Sequence, residues 1–219
     1  MNNSYNHYDN YKFYNRYSSV SPKTPSGGYR SLPFFKQAEI IQDFTHDFCN
    51  LYIDKKSRTY DQMNQGARSG KQCIAEAYLQ KSMEGRIKLL GVSRGSYEEL
   101  LNDYQDFLRQ ARLKFWEKNS VEAQTVRNLV YKNYNHYRQS LKAPLSAMPS
   151  SSAYNRYNLY KPYLSSPESA ANAMICLINQ NNRLLDQKLR WTEEKFVKEG
   201  GFRENLFRKR REFQKRNQE

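Results

Sequence analysis

The stretch QMNQGARSGKQCIAEAYLQKSMEGRIKLLGVSRGSYEELLNDYQDFLR, residues Gln62 to Arg109, decides the fold. In its first half Met63, Gly66, Ala67, Gly70, Ile74, Ala77 and Tyr78 recur at helical spacing and so share one face. Glycines on that face remove the side chains that hold two backbones apart, so the face expects a partner helix at close range. In the second half Ile87, Leu90, Gly91, Arg94, Tyr97, Leu101, Tyr104 and Leu108 carry a second stripe through a mixed-charge background. GARSG (Gly66 to Gly70) and GVSRG (Gly91 to Gly95) each space two glycines four apart. Neither follows a strand, so the spacing reads as close helix crossing and not as a phosphate loop. Gly66, Ala67, Gly70, Ile74, Gly91 and Gly95 are the expected packing residues.

Working outward, a first helix is expected after Pro33 and toward Leu51, with Ala38, Ile41, Phe44, Phe48 and Leu51 or Tyr52 on one face. A short IDKKSR connection leads to a second helix from about Tyr60 to Gln80. Ser82 then serves as the N-cap of a third that extends toward Trp116. Connections this short favour antiparallel neighbours. An additional helix is expected near 121–139, with Val121, Thr125, Leu129 and Lys132 or Asn133 along one face. Residues 142–166, with Pro144, Pro149, Pro162 and the run PSSS, read as a flexible loop. Ser165 or Ser166, Pro167 and Glu168 start the last core helix, since proline fits a first turn and an acid suits the positive helix end. Its seam reads Ala170, Met174, Leu177, Asn181, Leu184 and Trp191, widened by Ile178 and Leu185, and Gly200 and Gly201 stop it. Leu177 and Leu184 join the expected packing residues. Asn181 either specifies register or oligomer state, as a buried amide does in some coiled coils, or lies wet at the seam's edge.

This order of motifs resembles the four-helix-bundle proteins encoded in intervening sequences of large-subunit ribosomal RNA genes. The matching residues are ARSGKQCIAEA (Ala67 to Ala77) and GSYEEL (Gly95 to Leu100). The resemblance extends to the four-helix-bundle suffix proteins through YRSLPFFKQAEIIQDFTHDFC (Tyr29 to Cys49), RTYDQM (Arg58 to Met63) and NDYQDFLR (Asn102 to Arg109). It continues through ANAMICLINQNNRLLDQKL (Ala171 to Leu189) and KEGGFRENLFRKR (Lys198 to Arg210). Cys73 stands where the relatives commonly have Asn, and Ala77 where they commonly have Gly. The resemblance implies an all-α, antiparallel four-helix bundle with an additional helix and a basic C-terminal suffix. It also implies self-association into ring-forming oligomers, commonly pentamers, and the role that some similar proteins have as accessory subunits of reverse transcriptases.

Leu, Ile, Val and Phe make up 43 of 219 residues, near the one-fifth level at which high charge begins to favour disorder. Only seven of these fall in residues 1–33 and 141–168, which leaves enough elsewhere for one helical core. The expected organisation is a disordered Tyr/Asn-rich leader at 1–33, a bundle at 34–199 and a basic amphipathic tail at 200–219. Tyrosines recur every third residue at 5 to 17, 131 to 137 and 154 to 163. Interleaved with Asn, Lys and Arg, they suit stacking on unpaired bases. Biased composition alone equally describes low-complexity tracts at the leader and loop, and a buried stripe at 131 to 137.

With 36 Lys plus Arg against 22 Asp plus Glu, the net charge of +14 attracts polyanions or simply keeps the chain soluble. The segment Phe202 to Arg216 holds seven basic residues against two acidic ones. Phe202, Leu206 or Phe207, and Phe213 give it a rough stripe. Arg203, Arg208, Lys209, Arg210, Arg211, Lys215 and Arg216 are the candidate nucleic-acid contacts; a solvated helix end rich in cations is the plain alternative. Expected partners are RNA, DNA or a nucleoprotein and further copies of the chain. The other reading is a protein-binding scaffold or accessory subunit whose charge is incidental.

No uninterrupted apolar run approaches bilayer length, so no membrane partner is expected. Cys49, Cys73 and Cys176 form no close ligand pair, read as reduced thiols, and no secretory leader is read before them; together these make the cytoplasm the expected compartment. His7, His46 and His136 are scattered without metalloprotease, phosphate-loop or nucleophile-elbow patterns. Glu98 with Arg94 and Asp106 with Arg109 suit ordinary helix pairing. No enzyme, metal, cofactor or small-molecule substrate is expected.

Overall fold

The computed structural model describes residues 28–129 and 153–216, and every regular element among them is helical. The helices are α1 (Pro33–Tyr52), α2 (Arg58–Leu79), α3 (Met83–Gln110), α4 (Ala153–Asn158), α5 (Pro167–Glu199) and α6 (Phe202–Arg216). Residues 121–129 are also helical, and 3₁₀ turns occupy Gly28–Ser31 and Lys161–Ser165.

The ends follow local chemistry. Pro33 opens α1, where its fixed φ is already helical and its missing N–H would have no partner. Ser57, Ser82 and Ser166 cap α2, α3 and α5, accepting the N–H groups of Tyr60, Gly85 and Ser169 at 3.2, 3.0 and 3.2 Å.

Four helices pack in ring order, α1 on α2, α2 on α3, α3 on α5 and α5 on α1. The Ser93 hydroxyl donates to the Gly70 carbonyl at 2.7 Å, and Ser69 and Ser96 hydroxyls meet at 3.1 Å, so α2 and α3 run in opposite directions. Arg94 reaches Asp186 at 3.0 Å, and Asn182 donates to Glu98 at 3.4 Å, which gives α3 and α5 the same relation. Across the middle, Tyr104 donates to the Thr45 hydroxyl at 3.0 Å and its ring lies 4.8 Å from that of Phe48. Ile41, Phe44 and Phe48 meet Met63, Ile74, Tyr97, Leu100, Leu108, Met174, Leu177, Ile178 and Leu185 in one core. Each fully buried side chain of this size contributes roughly 1.5–3 kcal/mol, against which the ordering of the chain is set.

Several boundaries and faces differ from the sequence reading. Of the two residues expected to end the α1 face, the half-buried Tyr52 is the one that packs, its hydroxyl donating to the Leu164 carbonyl at 2.5 Å, while Leu51 is 60% exposed. Helix α3 stops at Gln110, six residues before Trp116. There Arg112 adopts φ +55° and the N–H groups of Leu113 and Arg112 fold back onto the carbonyls of Leu108 and Arg109 at 2.9 and 3.2 Å. This is a Schellman ending with arginine at the left-handed position, sealed by partial burial of Leu113 against the core. The following strand of chain is tied to α5: Asn172 accepts from the Trp116 N–H and donates to the Lys114 carbonyl, both at 2.8 Å.

In the 121–129 helix, Ala123 and Val126 are buried and Leu129 partly so, whereas Val121 and Thr125 point outward. The inner face is therefore offset from the expected one. Lys132 and Asn133 lie outside the described residues, as do Tyr131, Tyr134 and Tyr137, the leader tyrosines from Tyr5 to Tyr17, and residues 142–152. The remainder of the expected loop is ordered: α4 and the Lys161–Ser165 turn lie against α1. The three-residue tyrosine interval suits these tight turns, burying Tyr157 and Tyr160 and setting Tyr163 beside Trp116, with ring centroids 6.2 Å apart. Arg156 pairs with Glu39 at 3.0 Å, and Tyr157 donates to Asp47. The end of the expected leader is ordered too, since Tyr29 packs edge-on to Phe35 at 4.8 Å.

Candidate nucleic-acid interface

Helix α6 leaves the core through two glycines. Gly200 ends α5 at φ +76°, a conformation that side chains resist, and its N–H returns to the Phe196 carbonyl at 2.9 Å. Gly201 is buried: a Cβ there would come 2.5 Å from the Glu84 carboxylate at the start of α3 and 3.2 Å from the Phe196 ring. Glu204 then reaches back to accept the Gly201 N–H at 2.8 Å, half of a capping box. Asn205 donates to the Gly201 carbonyl at 3.0 Å, so the first turn of α6 is held on both sides.

Beyond that turn the helix is open. No residue of α6 is buried, and Phe202, Leu206, Phe207 and Phe213 are all exposed. Phe202, Leu206 and Phe213 fall within a narrow arc at helical spacing, with Lys209 and Arg216 beside them. Arg203, Arg208, Lys209, Arg210, Arg211, Lys215 and Arg216 are exposed along the same helix. Arg208 donates to Asn205, and Arg211 lies 5.9 Å from the Phe207 ring centroid. This arrangement can bind a polyanion through cations on a preformed helix, or a partner through its apolar arc.

The expected packing residues separate into two groups. Ala67, Gly70, Ile74 and Leu177 are buried, and Leu184 is half-buried against the core. Gly66 makes ordinary contact, with a Cβ placed 3.5 Å from the Ser96 carbonyl oxygen. Gly91 and Gly95 face outward with nothing within 4 Å of an added Cβ, because the helical phase turns them away from Tyr97. Ser93 and Leu100 are the buried residues on α3 that the expected stripe omits.

The other chemistry-bearing groups are dispersed. Cys49 is buried, its thiol pushed up to about 12 by burial and then by the charge of Asp103, and it donates to the Met63 sulfur at 4.0 Å. His46 is exposed beside Asn50 at 3.0 Å. Asp103, in an open groove between α2 and α3, has its pKa raised to about 6, first by burial and then by Asp106 and Glu99 on its own helix. Among the described residues, no three His, Cys, Asp or Glu side chains could together hold a metal ion, and no helix is long and apolar enough to cross a membrane.

A second cationic group escaped the sequence reading. The Lys188 ammonium lies 3.9 Å from the Trp191 ring centroid, and that of Lys195 lies 5.3 Å from the same ring. The spacing of these residues, three and four apart, puts them on one face of α5 and is the signal that would have found them. No protein-family model matches the chain, and neither a curated protein nor a solved structure does.

Proposed function

We propose that α1, α2, α3 and α5 form an antiparallel four-helix bundle, and that the chain is a non-enzymatic interaction module. It self-associates, as the ring-forming relatives implied by its motifs do, and binds nucleic acid or a nucleoprotein through basic surfaces. The ring order of helix contacts supports the bundle. The observation that carries the binding reading is α6, a 15-residue helix with no buried residue, seven cations and two acids.

The test is fluorescence anisotropy of labelled single-stranded RNA and duplex DNA with the nuclease-treated protein across a salt series. Phosphate contacts give log-linear weakening, with a slope of about −0.7 per contact on single strands and about −0.9 on duplex. Reversing Arg208, Lys209, Arg210 and Arg211 to Glu is expected to abolish binding while the mass measured by light scattering stays the same. Absence of binding at low salt sinks this reading.

The exposed apolar arc of Phe202, Leu206 and Phe213 favours a second reading, a protein-binding scaffold or accessory subunit, for example of a reverse transcriptase. Under that reading, substitution of the arc by Ser removes partner binding and charge reversal leaves it largely intact.

A further inference from the structure

We propose that Lys188 and Lys195 on α5, with Arg86 in the first turns of α3, form a phosphate site beside Trp191 that receives a nucleic-acid backbone. This deepens the nucleic-acid reading above and rests on it, but places the contact on the bundle and not on α6.

Three observations converge. Both ammonium groups gather on one indole, at 3.9 and 5.3 Å from its centroid, and Trp191, Lys188 and Lys195 are all half-buried. Arg86 is close enough for its charge to act on Lys188, and its Nε is already fixed by the Gln80 carbonyl at 2.8 Å. Lastly, the counter-charge is incomplete. Glu199 approaches Lys195 at 3.6 Å, whereas no carboxylate pairs with Lys188 among the described residues.

Burial, then Arg86 and Lys195, pull the Lys188 ammonium down to about 8. Each of these disfavours the charge, and a phosphate oxygen would favour it. The indole attracts both cations but supplies no anion, so it leaves the charge of Lys188 without a negative partner. A phosphodiester offers the acceptor oxygens that ammonium and guanidinium groups take.

The chain contains two tryptophans, so Trp191 emission is isolated by comparing the intact protein with Trp191→Phe. Titration with oligouridylate is expected to change the Trp191 signal saturably. Lys188→Gln and Arg86→Gln are each expected to weaken binding several-fold and to lower the salt slope by about one unit. Lys188→Arg should restore much of the affinity. Thermal melting of each variant separates lost binding from lost folding.

If oligouridylate binds but the Trp191 signal and the affinities of the folded variants do not change, this site is wrong while the α6 reading stands. If nothing binds at low salt, both fail together. Uridine monophosphate and inorganic phosphate form the control arms. An equal response to them at equal concentration overturns the assignment to a strand and leaves a free-phosphate site.

Discussion

The Tyr97 ring occupies the space that a side chain at Gly70 would need: an added Cβ would lie 2.6 to 2.8 Å from three of its carbons. The ring is fully buried, and the Ser93 hydroxyl holds the Gly70 carbonyl at 2.7 Å, so neither partner can easily withdraw. Gly70→Ala is expected to destabilise by about 1–3 kcal/mol and Gly70→Leu by more, read from urea unfolding. Gly91→Ala, at an open helical position, should instead stabilise by roughly 0.5–1 kcal/mol. Equal effects at the two sites would show that this packing face is misassigned.

Asn172 acts as a clasp for the chain that leaves α3. Asn172→Ala removes the acceptor for the Trp116 N–H and the donor to the Lys114 carbonyl, costing about 1–3 kcal/mol. Hydrogen exchange gives the local readout, since the Trp116 amide should exchange faster while the amides in mid-α2 keep their protection. Unchanged exchange at Trp116 would count against the clasp.

Asn181 is fully buried, and neither its amide nitrogen nor its oxygen has a hydrogen-bond partner among the described residues. The edge-of-seam alternative therefore does not describe it. Asn181→Leu should stabilise the fold by about 1–3 kcal/mol by removing an unsatisfied amide. Its mass by light scattering decides the remaining point: a fall in assembly order assigns register or oligomer specification to the amide, and an unchanged mass removes that role.

The Asp103 carboxyl provides a test in pH. Its pKa rises from the ordinary 3.8 to about 6, because burial and its two neighbouring acids disfavour the charge. The protonated group's contribution to stability is thus fully present below 3.8 and is lost as pH rises through about 6. Asp103→Asn, which never ionises, should melt close to the native chain at the acid end and above it at neutral pH. A gap between the two that does not vary with pH would refute the assignment.

What the sequence made legible was local. Ser82 and Pro167 announce helix starts by their own chemistry, and Arg94 with Glu98 and Asp106 with Arg109 pair at 2.6 and 2.8 Å because spacing alone brings them together. The hidden parts depend on distant partners. Nothing in the composition around Tyr157 separates it from the leader tyrosines, since its burial requires Asp47 and Phe44 on α1. The early end of α3 depends on a non-glycine at the left-handed position and on Asn172, 60 positions beyond Arg112. Gly91 and Gly95 repeat the spacing of Gly66 and Gly70, but each lies roughly a third to almost half a turn from Tyr97, and spacing without phase does not reveal which way a residue faces.

Under the nucleic-acid function proposed above, the close seat of Gly201 on Glu84 bears on how a strand would be carried. Glu204 and Asn205 hold the first turn of α6, a spar about 22 Å long whose root at Gly201 lies close to Glu84 and the Phe196 ring. In the self-associated ring proposed above, the spars would project at one repeated bearing, like teeth on a wheel. A long flexible strand could then engage many of them at once, each holding weakly, and the grip would depend on how many teeth it spans.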